Sequence, residues 1–221
     1  RDLDEDFIRN VIIKLNKKYK EKILFKEVRK LLRLVYGMYK SKNYSLEKHP
    51  STRERIKYYK EIYNKIFDIT GKPKKILDLG CGSNPLSYFY LGCNPEYYAC
   101  DLGQDYINTI NEFFNRNKIK GMAFKFDLLS NNYDKLPKAD ICFLFKVLES
   151  LELINRNISK EIIKKIPCNY IVVSFSKMAL GGKIVIRKRG RIWFRRILNE
   201  LGYKYDILDI GNEIFYIIRK V

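Results

Sequence analysis

The chain has 221 residues, of which 44 are lysine or arginine and 25 are aspartate or glutamate, so its net charge is +19 at pH 7 with histidine neutral. Its length accommodates one α/β domain of about 150 residues and an additional segment. Charge of this size favours a polyanionic partner over a small-molecule substrate, with a solvated basic surface as the alternative.

Membrane and metal-binding proteins are disfavoured. No apolar run approaches the roughly 18 residues of a membrane span and no signal peptide is visible, so we expect a cytoplasmic monomer with no membrane partner. The chain begins at Arg1, which indicates a trimmed start. Five cysteines without a CxxC pair and a single histidine disfavour zinc and a disulfide scaffold, so we expect no metal site and reduced thiols in or near the core.

Residues 1–72 are predicted to form a basic helical subdomain. Apolar residues recur at helical spacing from Phe7 to about Lys18 and again from Leu24 to Met38, which predicts two amphipathic helices. This part carries 20 basic and 10 acidic residues and is more densely basic than residues 73–221. Its polar helix faces can lie along a phosphate backbone, although a charged face is more often simply solvated.

A further helix is predicted over residues 51–67. Ser51 and Glu54 form the Ser-x-x-Glu pattern of a capping box. Apolar residues at helical spacing form its buried stripe: Ile56, Tyr59, Tyr63 and Ile66.

Two arginines lie in the first turns of this predicted helix, where the helix dipole disfavours cations. We therefore expect Arg53 and Arg55 to bind an anion, either a carboxylate or a phosphate, and not to stabilise the fold. His49, just before the helix, is by itself more typical of a packed loop residue than of a catalyst.

The stretch KKILDLGCGSNPLSYFYLG, Lys74 to Gly92, organises the rest of the chain. It predicts a short strand that ends at a Gly-Cys-Gly turn and continues into a helix capped by Ser83. Gly80 and Gly82 allow the backbone to approach a ligand where any Cβ would collide, and the helix start offers free N–H groups. An ordinary tight turn is the alternative.

Asp101 closes a second predicted strand about 20 residues further on, where a carboxylate can accept both hydroxyls of a ribose. Pro85 replaces the third glycine of GxGxxG, so a pyrophosphate is not indicated. The pattern DLGCGxNP, followed by a strand ending in aspartate, resembles the S-adenosylmethionine site of Rossmann-like methyltransferases. The cofactor of those enzymes has a ribose but no phosphate.

Three more strands and a closing hairpin are predicted in residues 73–221. The strands are MAFKFDLL, ADICFLFKV and YIVVSFS, helices cover 106–116 and 149–166, and the hairpin turns at Gly211–Asn212. Since methyltransferase sheets commonly end in one antiparallel strand, the predicted fold is a Rossmann-like class I S-adenosylmethionine-dependent methyltransferase domain. We expect a seven-stranded sheet whose last strand is antiparallel, with the helical subdomain at its N-terminus.

Four motifs resemble one known family. HPSTRER, DLGCGSNPL, FKVLESLE and VSFSKMALGGK resemble, in the same order, the motifs of the 16S ribosomal RNA methyltransferases that confer aminoglycoside resistance by methylating guanine N7. The resemblance spans about residues 49–202 and implies S-adenosylmethionine as cofactor and RNA as partner. The family usually has proline and threonine where this chain has Ser176-Lys177, and residues 1–48 are not matched, so a housekeeping enzyme of ribosomal or transfer RNA is an equal alternative.

The resemblance also implies site residues. In the family, the segment around HxSTRER reaches over the methionine end of the cofactor with an arginine on its carboxylate, and in related methyltransferases an aspartate like Asp127 binds the adenine amino group. Strand position places Phe145, Lys146 and Glu149 at the cofactor, with core packing as the alternative for the phenylalanine. The predicted cofactor-binding residues are His49, Ser51, Arg53, Arg55, Asp78, Gly80, Gly82, Asp101, Asp127, Leu128, Phe145 and Lys146.

A basic segment follows the fifth strand. No acidic residue lies between Glu161 and Glu200, and aromatic residues alternate with cations. Cations for phosphates and a ring for a base are what an RNA-binding loop needs. The predicted substrate-binding residues are Glu149, Lys177, Lys183, Arg187, Lys188, Arg189, Arg191 and Trp193.

The sequence offers no general base, so no catalytic residue is assigned. Guanine N7 carries a nucleophilic lone pair and loses no proton, so alignment and desolvation suffice for its methylation. The absence of a base is compatible with this chemistry, and the resemblance implies an RNA guanine-N7 methyltransferase. A catalytically inactive RNA-binding module with this fold and a small-molecule methyltransferase are the alternatives.

Overall fold

The computed structural model describes residues 5–16, 20, 23–24, 26, 28, 45–47, 50–130, 132–177 and 191–220. Its α-helices are α1 (Glu5–Asn16), α2 (Pro50–Arg55), α3 (Tyr59–Thr70), α4 (Gln104–Arg116), α5 (Leu148–Ile154), α6 (Ile158–Lys165) and α7 (Ile192–Glu200). Short 3₁₀ helices cover Ile56–Tyr58, Asn84–Leu91 and Tyr133–Lys135.

The described strands form one seven-stranded sheet in the order β3-β2-β1-β4-β5-β7-β6. They are β1 (Lys75–Leu79), β2 (Glu96–Asp101), β3 (Gly121–Lys125), β4 (Ala139–Phe145), β5 (Cys168–Ser176), β6 (Lys204–Ile210) and β7 (Glu213–Arg219). Neighbours are parallel except at β7, which is antiparallel to both β5 and β6. The predicted Rossmann-like architecture with one antiparallel strand is confirmed. Strand order reverses between β1 and β4, where ligands bind in such sheets.

Helices cover both faces of the sheet because successive strand residues point to opposite sides. Ile76 of β1 and Phe143 of β4 belong to the core that α3, α4 and the 3₁₀ helix Asn84–Leu91 build on one face. Leu77 and Cys142 belong to the core that α1, α5, α6 and α7 build on the other. The helix before the sheet, α3, therefore packs directly on the strands, and the division at residue 72 stays a prediction.

Several predicted helices differ from those observed. The helix over 51–67 is interrupted by the 3₁₀ turn Ile56–Tyr58, and the helix over 149–166 is split before Asn157, whose φ is +70°. The segment after the glycine turn is 3₁₀, and Ser83 makes no capping hydrogen bond. The second N-terminal helix lies mostly outside the described residues, although Leu24 and Val28 are buried.

The described residues also bear on membrane, metal and thiol chemistry. None of their helices is long and apolar enough to cross a membrane. They contain no group of histidine, cysteine, aspartate and glutamate side chains placed to hold a metal ion. All five cysteines are free thiols, and four of them are buried.

Candidate active site

Asp78 lies near the end of β1 and is 1% exposed. Its Oδ2 accepts hydrogen bonds from Asn84 Nδ2 (2.8 Å) and the Tyr97 hydroxyl (2.7 Å), whereas its buried Oδ1 has no partner in the described structure. Burial raises the pKa of Asp78 to about 6, and the hydrogen bonds from Asn84 and Tyr97 oppose that rise. The carboxyl group thus keeps one acceptor oxygen unused at the strand end.

The two glycines of the turn, Gly80 and Gly82, have different surroundings. Gly80 has φ +65°, and a Cβ there would lie 2.8 Å from Cγ2 of Val147, so this glycine permits close packing of the loop after β4. Gly82 has φ +50° and open space where its Cβ would lie. The predicted approach of backbone to a ligand therefore has room at Gly82, whereas at Gly80 the near neighbour is protein.

Asp101 ends β2 and is buried. Its Oδ2 accepts from the Gly82 N–H (2.9 Å), and its Oδ1 accepts from the N–H groups of Leu102 (2.8 Å) and Gly103 (3.0 Å). Burial raises the pKa of Asp101, and these three N–H donors oppose the rise. The carboxylate therefore also fixes the conformation of both loops that border the site.

Asp127 follows β3 by two residues and lies beside the same edge, since Asp101 pairs with Lys125 in the sheet register. Its Oδ1 accepts from the Leu129 N–H (2.8 Å). Leu128 is buried, and its carbonyl accepts from the Tyr133 hydroxyl. The sheet thus brings the predicted adenine-side residues to the carboxyl edge.

Arg55 is buried, with 3% of its side chain exposed, and forms an ion pair with Glu213. Its Nε lies 2.6 Å from Glu213 Oε1, its Nη1 donates to Asn84 Oδ1 (3.2 Å), and its guanidinium carbon lies 4.9 Å from the Phe145 ring centroid. Burial disfavours the charged guanidinium, but Glu213 together with Tyr59 and Tyr63 outweighs burial and raises the pKa of Arg55. Its buried Nη2 has no partner in the described structure.

The expectation that Arg53 and Arg55 lie in the first turns of a helix is wrong. Helix α2 ends at Arg55, so Arg53 and Arg55 lie in its last turn, where the dipole favours cations. Arg53 is exposed and Arg55 is buried, so the two arginines have different environments. Their predicted roles at the cofactor stay predictions.

Glu213 begins β7 and is 2% exposed. Besides Arg55, it contacts Lys146 Nζ at 3.1 Å through Oε1, and its Oε2 accepts from the Ser174 hydroxyl (2.7 Å). Burial alone would raise the pKa of Glu213, but Arg55 and Lys146 hold it below the usual value. Lys146, at φ +59°, also pairs with Glu54 (3.1 Å).

Phe145 ends β4 and is buried. Its ring stacks on Phe143 with centroids 4.8 Å apart and contacts Phe215 edge-on at 5.6 Å. The core-packing alternative therefore describes most of this side chain, while its contact with Arg55 keeps it beside the site.

Two described cations of the basic segment, Lys177 and Arg191, have acidic partners that the sequence does not indicate. Arg191 is 4% exposed, and its Nη2 lies 2.8 Å from Glu149 and donates to the Ser176 carbonyl (2.9 Å). Lys177 pairs with Asp209 and donates to the Gly211 carbonyl (2.7 Å). Burial raises the pKa of Glu149, and Arg191 opposes the rise. No acidic residue lies near these two cations in the sequence, but the fold brings Glu149 to Arg191 and Asp209 to Lys177.

Trp193 lies in α7, half-buried against the core. Its ring contacts Phe175 (5.8 Å) and Phe194 (5.5 Å) edge-on. Its use as a stacking platform stays a prediction. The remaining predicted residues lie outside the described residues or, for Ser51, have no described side chain: His49, Ser51, Lys183, Arg187, Lys188 and Arg189.

Two residues that sequence reasoning missed connect the site. Asn84 bridges Arg55 to Asp78, and Glu213 holds Arg55 and Lys146. The available signal for Glu213 is that it begins a strand, EIFYIIR, whose next five residues are apolar. A carboxylate before such a strand needs a cation at the strand start.

Comparison with known proteins gives a consistent result. A family model described as "Ribosomal RNA methyltransferase (FmrO)" matches residues 39–217. The 16S rRNA (guanine(1405)-N(7))-methyltransferase of Micromonospora rosea is 31% identical over 179 residues, which are 78% of this chain and 63% of the relative. The protein of the same name from Proteus mirabilis is 28% identical over an alignment of 258 positions that covers 97% of this chain and 90% of the relative. The chain thus spans less than two thirds of the length of the Micromonospora relative.

Solved structures show the same fold. The 16S rRNA methylase RmtB superposes with a TM-score of 0.80 at 22% identity, covering 98% of this chain and 90% of RmtB. The 16S rRNA methyltransferase RmtF, in complex with S-adenosyl-L-homocysteine, gives a TM-score of 0.80 at 24% identity, covering 98% and 91%.

Proposed function

Because this chain belongs to the ribosomal RNA methyltransferase (FmrO) family, as its motifs predicted, we propose that it is an S-adenosylmethionine-dependent enzyme that methylates guanine N7 in ribosomal RNA. Curated relatives bear the name 16S rRNA (guanine(1405)-N(7))-methyltransferase, which supports the small-subunit RNA as the substrate. The net charge of +19 supports a polyanionic substrate.

The observation that carries the proposal is a pair of buried polar atoms without partners at the sheet edge, Asp78 Oδ1 and Arg55 Nη2. Unsatisfied buried polar groups are rare because each costs about 1–3 kcal/mol, so they point to a ligand that satisfies them. The two atoms are linked through Asn84, which bonds both side chains. One is an acceptor and the other a donor, which fits the α-amino and α-carboxylate groups of the cofactor.

The other end of the cofactor fits the neighbouring strand ends. Asp101 Oδ2 accepts one backbone N–H in the structure, which leaves acceptor capacity for a ribose hydroxyl. Asp127 and Leu128 lie one strand further out, and their position supports a contact with the adenine. Gly82 has open space where its Cβ would lie.

The residues of this chain would position the cofactor and the guanine and would exclude water from between them. They would not move a proton. When bound, S-adenosylmethionine supplies an electrophilic methyl group on its sulfonium sulfur. The aromatic wall of Phe145 and Phe143 excludes water beside Arg55. Since guanine N7 attacks through its lone pair, alignment supplies most of the rate enhancement and no base is needed.

Mass analysis of labelled RNA tests the proposal. The protein is incubated with methyl-labelled S-adenosylmethionine and, separately, small ribosomal subunits, naked 16S RNA and transfer RNA, and each RNA is digested to nucleosides. We expect labelled 7-methylguanosine from ribosomal RNA, its loss in Asp101→Ala, and wild-type labelling in the control Asp134→Ala, which changes an exposed carboxylate. Label only in transfer RNA, label in another nucleoside, or no label would contradict the proposal.

A further inference from the structure

Two contacts join the same pair of segments across the site. One is the buried ion pair between Arg55, at the end of α2, and Glu213, at the start of β7. The other joins Tyr58, three residues after Arg55, to Gly211, two residues before Glu213. A Cβ on Gly211 would lie 2.5 Å from Cε2 and 2.7 Å from Cδ2 of Tyr58, so the ring packs directly on the turn backbone.

The turn and the ring are each held from a further side. The Lys177 N–H donates to the Asn212 carbonyl (2.8 Å), and its ammonium group donates to the Gly211 carbonyl (2.7 Å). The Lys57 ammonium lies 4.8 Å from the Tyr58 ring centroid, a cation–π distance. The ring therefore has little freedom to move away from the turn.

Gly211 has φ +55°, which favours glycine, and its surroundings add a second restriction, the contact with the Tyr58 ring. Gly202, at the opposite end of β6, has φ +70° and no heavy atom within 4 Å of a Cβ position. The two sites share the backbone restriction and differ in the contact with Tyr58.

We propose that Tyr58 and Gly211 are positioning residues that set the place of the Arg55 guanidinium. The inference rests on the proposed function, in which Arg55 Nη2 receives the cofactor carboxylate. Arg55 is fixed at its Nε by Glu213, so the direction of Nη2 depends on how α2 lies relative to β7. The ring-on-turn contact sets that separation, and a displacement of about 1 Å at such a contact can change activity by about two orders of magnitude.

The test compares two ligands and two glycines. S-adenosylhomocysteine has the amino acid end of the cofactor, and 5′-methylthioadenosine has only its nucleoside end. We expect Gly211→Ala to bind S-adenosylhomocysteine about tenfold more weakly than wild type, the size of one charge-assisted hydrogen bond, and to bind 5′-methylthioadenosine unchanged. Gly202→Ala is the matched control and should bind both ligands as wild type does. Tyr58→Phe keeps the ring and should bind both normally.

Calorimetric titration of the full chain with both ligands decides the outcome. Equal loss for both ligands, or loss for neither, would overturn the inference, because Arg55 would then be positioned by other contacts. If Gly211→Ala does not fold, Tyr58→Leu removes the ring without adding an atom at the turn and must show the same selective loss; an unselective loss or none overturns the inference. A wild-type protein that binds neither ligand would instead contradict the proposed function, and the inference with it.

Discussion

The two halves of the carboxyl edge of the sheet are built by different kinds of interaction. On the β1–β2–β3 side, carboxylates of Asp78, Asp101 and Asp127 are held by donors close in sequence, such as Asn84, Leu102 and Leu129. On the β4–β5–β7 side, ion pairs join distant segments. Arg55 and Glu213 are separated by 158 positions, and Glu54 and Lys146 by 92.

This difference decides which half of the sheet edge can be predicted from the sequence. Where both partners lie within a few residues, as for Asp78 with Asn84 and Asp101 with Leu102, the local motif identifies the geometry. A cation whose partner is 158 residues away looks unpaired in the sequence, which then suggests an anion-binding group. The charges on the β4–β5–β7 side are paired within the fold, and their availability to a ligand depends on the atoms that this pairing leaves over.

The largest expected effect is on the free energy of unfolding, and it differs between the two arginines of the STRER segment, Arg53 and Arg55. Arg55→Gln leaves the buried Glu213 without its closest cation and should lower the free energy of unfolding by about 3–5 kcal/mol. Arg53→Gln, an exposed residue of the same turn, should change it by less than about 0.5 kcal/mol. Urea denaturation of both variants measures the difference, and equal small effects would mean that the ion pair does not stabilise the fold.

Asp101→Ala tests the local half. It removes an acceptor from the Gly82, Leu102 and Gly103 N–H groups and from the proposed ribose contact. We expect cofactor affinity to fall by about 1.5–3 kcal/mol, the range for a hydrogen bond to a charged group. Calorimetry with S-adenosylhomocysteine measures this change, with exposed Asp134→Ala as the control. Unchanged affinity would remove Asp101 from the cofactor site.

The raised pKa of Asp78 predicts that the stability of the protein depends on pH. Its pKa rises from 3.8 to about 6 on folding, so between about pH 4 and pH 6 the folded protein binds more protons than the unfolded chain. The free energy of unfolding therefore falls as pH rises through this window and stays lower above it.

Asp78→Asn removes this titration and keeps one oxygen for the donors Asn84 and Tyr97. The variant should be more stable than wild type by about 3 kcal/mol at pH 7.5, and the difference should shrink to below about 1 kcal/mol near pH 4. Urea denaturation across pH 4 to 8 checks both statements. A variant that is less stable at every pH would show that the carboxylate stabilises the folded state.

The predictability of the fold and site follows the same division. The seven-stranded sheet, the β6–β7 hairpin and the strand-end positions of Asp78 and Asp101 follow from apolar patterning and turn residues, which are local. The break at Ile56–Tyr58 could not be predicted, because the apolar spacing continues through it and the Tyr58–Gly211 contact is tertiary. The acidic partners of Arg191 and Lys177 were missed for the same reason.

The smallest expected effect on the free energy of unfolding comes from the basic segment, whose proposed role is RNA binding. Arg187, Lys188 and Arg189 lie outside the described residues, whereas Arg191 is buried against Glu149, the Ser176 carbonyl and the Phe175 ring. A phosphate contact requires an accessible cation, so buried Arg191 cannot make one in this structure, and we expect the phosphate contacts to come from the other three. Replacing those three together with glutamine should weaken RNA binding and flatten the slope of log K against log salt by about 2 to 3, at about 0.7–0.9 for each lost contact.

Arg191→Gln should leave that slope unchanged and lower the melting temperature instead, since it leaves Glu149 without its partner. Filter binding to 16S RNA at several salt concentrations, together with a thermal melt of each variant, measures both effects. A slope that falls in Arg191→Gln would show that this arginine leaves its buried partners to bind RNA, and the two halves of the site edge would then differ less than their contacts indicate.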